Sequence, residues 1–134
     1  MQMIETSIPP EEIIEALADL KHDLGKYLRM PLAMLPADAP DAEVREAIRS
    51  AVFETRKTPK GVRRASDIWE AFLDEARGAI SAYAGFAALD EAVGAALAWG
   101  DADRSPDREL AGADMARVSE AIQRLIEEVA DEDR

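Results

Sequence analysis

The residues best suited to chemistry lie in one short stretch, KHDLGKYLR (residues 21–29), which holds the chain's single histidine. Leu20 and Leu24 belong to an apolar stripe with helical spacing, so a residue midway between them points away from the core. His22 is therefore predicted to be exposed on the outer face of a helix. Three further residues share that face at helical spacing: Gly25, which has no side-chain bulk, and the cations Lys26 and Arg29.

An exposed imidazole with cations one and two turns later is suited to phosphoryl transfer. The neutral ring is a nucleophile, and cationic side chains hold phosphate oxygens. We predict His22 as the phosphoacceptor, with Lys26 and Arg29 stabilising the phosphate. Gly25 is predicted to leave room for the approaching active site of another protein.

The same stretch resembles the phosphoacceptor helix of histidine phosphotransfer domains and of histidine-kinase dimerisation domains. In the kinases a histidine is followed by an acid, an aliphatic residue and, four positions later, another aliphatic residue. The matching residues here are His22, Asp23, Leu24 and Leu28. Phosphotransfer domains carry lysine and then glycine after the histidine, and this chain has that pair in reverse order as Gly25 and Lys26.

The resemblance implies a helical bundle that exchanges a phosphoryl group with a response-regulator receiver domain, as in two-component signalling. The kinase pattern commonly places a proline shortly after its histidine, whereas Pro31 comes nine residues after His22. No kinase activity is expected, because the sequence holds no nucleotide-binding domain. The implied role is that of a phosphoryl-accepting signalling adaptor.

A second resemblance competes with the first. HDLGK (residues 22–26) is similar to the signature of HD-domain metal-dependent phosphohydrolases, which are also all-helical. Those enzymes add a histidine from an earlier helix and an aspartate from a later one, and this chain has no second histidine. One histidine and one carboxylate make a poor transition-metal site. We therefore expect no metal, no other cofactor and no hydrolase activity. If the chain is related to these enzymes, it is a metal-free remnant of one that is used for binding.

A non-catalytic interpretation stays open beside both resemblances, because a solvated histidine is common on a polar helix face. In that case the chain is an acidic helical protein–protein interaction module. Its candidate contact is the basic stretch RKTPKGVRR (residues 56–64), which would dock an acidic surface or an anion. The alternative is a basic helix end followed by a solvated loop. The basic residues of this stretch are Arg56, Lys57, Lys60, Arg63 and Arg64.

Composition narrows the class of protein. The chain has 134 residues and a formal net charge of −12, from 28 acidic and 16 basic side chains. That charge opposes general binding to nucleic acid or to anionic membranes. Without cysteine, disulfides and thiolate sites are excluded. No apolar run is long enough for a membrane span, and the N-terminus does not read as a signal peptide, so we expect cytoplasmic residence.

Apolar residues recur at spacings of three and four, without strand alternation, and predict an all-α fold. We expect a four-helix-type antiparallel bundle in one domain, residues 1–134, with residues 1–9 and 131–134 frayed. The first helix should kink or end just before Pro31. The predicted helices begin near Pro9-Pro10, near Asp41, near Ser66 or Asp67, and after Ser105-Pro106.

The third helical region would be much longer than its neighbours if it continued to Trp99. We expect it to bend or divide near Gly78 or Gly85. Trp99 ends an alanine-rich segment and is expected to be partly exposed. This segment, from Ala84 to Trp99, and the first helix offer apolar surface through which we expect a homodimer could form.

Overall fold

The computed structural model describes residues 8–101 and 103–132. Most of these residues are helical, as the all-α prediction requires. The elements are α1 (Pro10–Leu20), a π-helical segment (Lys21–Lys26), α2 (Tyr27–Ala33), α3 (Asp41–Phe53), β1 (Arg56–Thr58), β2 (Gly61–Arg63), α4 (Ala65–Ile80), α5 (Gly85–Ala98) and α6 (Arg108–Glu132).

The long helix α6 organises the fold. Helices α1, α2 and α5 and the π-helical segment all pack against it, while α4 contacts α1 and α5, and α3 contacts α2 and α4. The buried apolar side chains of these elements form one cluster. Its largest fully buried members include Leu17, Leu24, Leu28, Ile80, Leu89, Met115, Ile122 and Leu125.

The third helical region is divided into α4 and α5, and the break lies between Gly78 and Gly85, where it was predicted. Helix α4 ends at Ile80 and α5 begins at Gly85. The start of α5 is capped by Glu128 of α6, whose two carboxylate oxygens accept hydrogen bonds from the backbone N–H groups of Ala84 and Gly85, each at 2.8 Å. This satisfies donors that a helix start leaves without partners.

The prediction that the first helix ends or kinks just before Pro31 is wrong about the end. Helix α2 contains Pro31 and continues to Ala33, and the irregular winding lies upstream, in the π-helical segment. At the end of α2, the guanidinium of Arg108 donates to the carbonyl oxygens of Leu32, at 3.1 Å, and Leu35, at 2.7 Å, and also to that of Pro36. The start of α6 therefore holds the end of α2.

The basic stretch forms a hairpin, although no strand was predicted. Its strands β1 and β2 are antiparallel, with Thr58 opposite Gly61. The hydroxyl of Thr58 donates to the Gly61 carbonyl at 2.7 Å, and Gly61 has a φ of 118°, which favours glycine. Strands of three residues are too short to show an alternating pattern. Helix α3 accordingly ends at Phe53, before the hairpin begins.

The ends of the chain are only partly described. Helix α6 extends through residues 131–132, which we expected to fray, while residues 133–134 lie outside the described part. The predicted fraying of residues 1–7 also falls outside it. Within the described residues, no helix is both long enough and apolar enough to cross a membrane.

Candidate functional site

The stretch around the histidine is wound as a π-helix, from Lys21 to Lys26. Short π-helical turns within α-helices are rare, and they occur frequently at functional sites. Here the turn sets His22 beside Tyr27, five residues later, with the ring centroids 5.7 Å apart and the planes perpendicular. Residues five apart lie on different faces of an α-helix, so helical spacing did not predict this contact.

His22 is exposed, as its position midway between Leu20 and Leu24 predicted. Its side chain is 60% exposed, and Nδ1 lies 3.0 Å from Oδ1 of Asp23, whose side chain is only 18% exposed. An ionised carboxylate can only accept a hydrogen bond, so this contact favours the neutral tautomer with its hydrogen on Nδ1. The lone pair is then on Nε2, to which no other described residue is hydrogen-bonded.

The two predicted phosphate-binding cations occupy different positions. Lys26 is exposed one turn after His22 and has no ion pair within residues 8–101 and 103–132. Arg29 is also exposed, but it lines a groove where α2 and the π-helical segment face α6, together with Lys21 and Arg124. Lys26 therefore remains on the outer face, whereas Arg29 is directed toward α6.

The role predicted for Gly25 is wrong, because this residue is buried against α6. A Cβ atom added to Gly25 would lie 2.5 Å from the hydroxyl oxygen of Ser119 and 3.5 Å from its Cα. The missing side chain lets α6 approach the π-helical segment closely. Gly25 thus serves helix packing and gives no access to a partner.

Replacing Gly25 by alanine tests this packing. In a Ser119→Ala background the new methyl group fits, and we expect a gain of up to about 1 kcal/mol in the free energy of unfolding from helix propensity. In the native background the gain should be smaller, because the Ser119 hydroxyl must move. Urea denaturation of the four variants gives the coupling between the two sites.

The matched control is Gly78→Ala in α4, where an added Cβ meets nothing within 4 Å. Its effect should be the same with serine or alanine at residue 119. An identical effect of Gly25→Ala in both backgrounds would contradict the close contact with Ser119.

Arg56, predicted to bind a partner, is unsuited to that role because only 7% of it is exposed. It donates through Nη2 to the carbonyl of Ala51, and its guanidinium carbon lies 5.8 Å from the centroid of the Tyr27 ring. Nη1 is buried and has no hydrogen-bond partner in the part of the chain that the structure describes. Burial lowers the pKa of Arg56, and the nearby Glu54 carboxylate opposes that shift. This arginine is part of the interior.

Two of the four remaining basic residues are paired within the chain. Lys60 lies 2.8 Å from a carboxylate oxygen of Glu75, and Arg64 lies 3.7 Å from one of Asp67. Within the described part of the chain, Lys57 and Arg63 form no ion pair. Opposite Lys57 in the hairpin is Val62, which is 65% exposed. The surface available to a partner is therefore smaller than the predicted basic stretch.

A cleft of about 120 Å³ brings the two predicted sites together. It is bounded by α1, the π-helical segment, the hairpin and α4. Asp19 and Asp23 line one side, and Lys60 and Arg63 line the other. Asp23 both contacts His22 and lines this cleft, so a ligand at the hairpin would adjoin the carboxylate that holds the histidine.

Fold and site together define a helical protein with an exposed histidine–aspartate pair on a π-helical turn. Among residues 8–101 and 103–132, no three histidine, aspartate or glutamate side chains lie close enough to hold a metal ion. Comparisons with protein-family models, with curated proteins and with solved structures find no match to this chain.

Proposed function

We propose that the protein is a cytoplasmic signalling adaptor of the histidine-phosphotransfer type, which accepts a phosphoryl group on Nε2 of His22 and relays it. The observation that carries this proposal is the His22–Asp23 pair, with its 3.0 Å contact at Nδ1 and its exposed ring. The partner is a signalling protein such as a response-regulator receiver domain. Helices packed around α6 are compatible with the four-helix-type bundle of the domains that the sequence resembles.

The chemistry follows from the position of the ring proton. The Nε2 lone pair attacks the phosphorus of an aspartyl phosphate on the partner, so an N–P bond forms and the P–O bond to the partner's carboxylate breaks. The imidazole becomes positively charged while Nδ1 keeps its hydrogen. The Asp23 carboxylate stabilises that charge, and Lys26 supplies a cation for the phosphate oxygens.

The experiment is phosphorylation of the full chain with phosphoramidate, followed by mass spectrometry and ³¹P and ¹⁵N NMR. We expect one phosphoryl group per chain, on Nε2 of His22. Asp23→Ala should shift the ring away from the Nδ1–H tautomer and slow phosphorylation several-fold, because the charge on the ring is no longer compensated. His22→Ala should abolish the product.

Reactive phosphoryl donors also modify ordinary exposed histidines, so a matched control is needed. Glu46→His in the His22→Ala chain places a histidine on the exposed surface of α3. His22 must react clearly faster than this control. Equal rates would show that His22 is an ordinary surface imidazole and would overturn the proposal.

A second candidate is a non-catalytic interaction module, or an HD-like remnant used for binding, and Val62 favours it. An exposed valine opposite Lys57, which forms no ion pair among the described residues, provides an apolar and cationic contact for an acidic partner protein. Binding through this hairpin should tolerate His22→Ala and respond to charge reversal at Arg63. Phosphoryl relay through His22 should instead be abolished by His22→Ala and should tolerate charge reversal at Arg63.

A further inference from the structure

Three arginines line one small pocket at the end of α5. Arg45 and Arg49 lie one turn apart on α3, and Arg104 comes from the connection between α5 and α6. Trp99 forms part of the wall, and the cavity measures about 70 Å³. Because ligand pockets usually enclose about 300 Å³ or more, this one fits a single small chemical group.

The three guanidinium groups have no carboxylate partners within the described residues. Lys60 pairs with Glu75 and Arg117 with Asp114, whereas these arginines, like Lys57 on the hairpin, form no ion pair among those residues. All three side chains are exposed and therefore solvated, and in a protein with a net charge of −12 they form a local positive patch that attracts anions. The arginines of this pocket, called the arginine pocket below, are Arg45, Arg49 and Arg104.

The wall of the pocket is held in place by buried contacts. Trp99 was expected to be partly exposed, but it is 5% exposed, and its indole Nε1 donates to Asp114 at 2.7 Å. The guanidinium carbon of Arg104 lies 3.7 Å from the centroid of the Trp99 ring. Stacking on a fixed indole limits the conformations of Arg104, so less side-chain entropy is lost when an anion binds.

Two features of the pocket disfavour anion binding, and its three arginines favour it. The carbonyl end of α5 carries partial negative charge, and Asp101 lines the pocket. One carboxylate oxygen of Asp101 accepts the backbone N–H of Asp103 at 3.0 Å, which reduces its repulsion of an anion. Against these stand three arginines that line the cavity from two different parts of the chain.

We propose that the arginine pocket binds a phosphate dianion, either free or as the phosphate group of a small monoester. A planar carboxylate is matched by one guanidinium in a bidentate pair. A tetrahedral phosphate offers oxygens in several directions, which suits donors from α3 on one side and Arg104 on the other. Binding here is non-covalent, and His22 does not line this pocket.

The test is a titration of the full chain with inorganic phosphate and, separately, with glycerol phosphate, followed by the two indole ¹H–¹⁵N NMR signals. We expect a saturable shift of the Trp99 signal, because the bound anion changes the stacking of Arg104. The Trp69 signal should not move, which provides an internal control. Acetate at equal ionic strength should give no saturable shift, and the tighter of the two phosphates identifies the source.

Arg45→Gln and Arg49→Gln should each weaken phosphate binding about tenfold, since a hydrogen bond to a charged group contributes about 1.5 kcal/mol or more. The matched control is Arg124→Gln, an exposed arginine of α6 outside this pocket. Three results would each overturn the proposal: no saturable shift, an equal response to acetate, or equal weakening by Arg124→Gln.

Discussion

Replacing Leu24 by alanine is expected to lower the free energy of unfolding by about 3 kcal/mol. Leu24 lies in the π-helical segment and is completely buried. That segment packs against both α4 and α6. Truncation removes apolar burial and leaves a cavity that rigid neighbouring helices fill only in part. The predicted loss is a large share of the stability of a small domain.

Urea denaturation measures this loss, with Lys26→Ala as the matched control in the same segment. Lys26 is exposed, so its replacement should change stability by no more than about 0.5 kcal/mol. If both substitutions had the same small effect, the π-helical segment would not be anchored through Leu24. His22 and Tyr27 should then be free to separate, which the NMR signals of the His22 ring would show.

The helices and the exposure of His22 followed from local spacing. Leu20, Leu24 and Leu28 repeat at intervals of four and are all buried, so the side opposite this stripe could be assigned without a structure. The division between α4 and α5 was also predicted approximately, because the glycines and the excessive length both argued against one continuous helix. Such features depend on residues close together in the chain.

What could not be predicted depends on residues far apart in the chain. Gly25 looks like an open position on a helical wheel, and only the approach of Ser119 from α6 shows that it is a packing site. Arg104 has no sequence signal that places it beside Arg49. The contact between His22 and Tyr27 depends on π-helical winding, which α-helical spacing does not reveal.

Arg56 gives the second large expected effect, through two substitutions that separate its charge from its volume. Arg56→Ala should lower the free energy of unfolding by about 3 kcal/mol, because it opens a cavity beside Tyr27 and leaves the Ala51 carbonyl without its partner. Arg56→Met loses the same hydrogen bond but keeps an unbranched apolar side chain. It also removes a buried charge whose Nη1 has no hydrogen-bond partner within residues 8–101 and 103–132.

We therefore expect Arg56→Met to be about 2 kcal/mol more stable than Arg56→Ala, and close to the native protein. Urea denaturation of the three proteins measures both differences, and equal losses in the two variants would show that the charge itself stabilises the fold. Burial lowers the pKa of Arg56 in the folded state, so the unfolded chain holds this proton more strongly. Native stability relative to Arg56→Met should thus rise with pH only in the strongly alkaline range where arginine deprotonates, and stay constant around neutral pH.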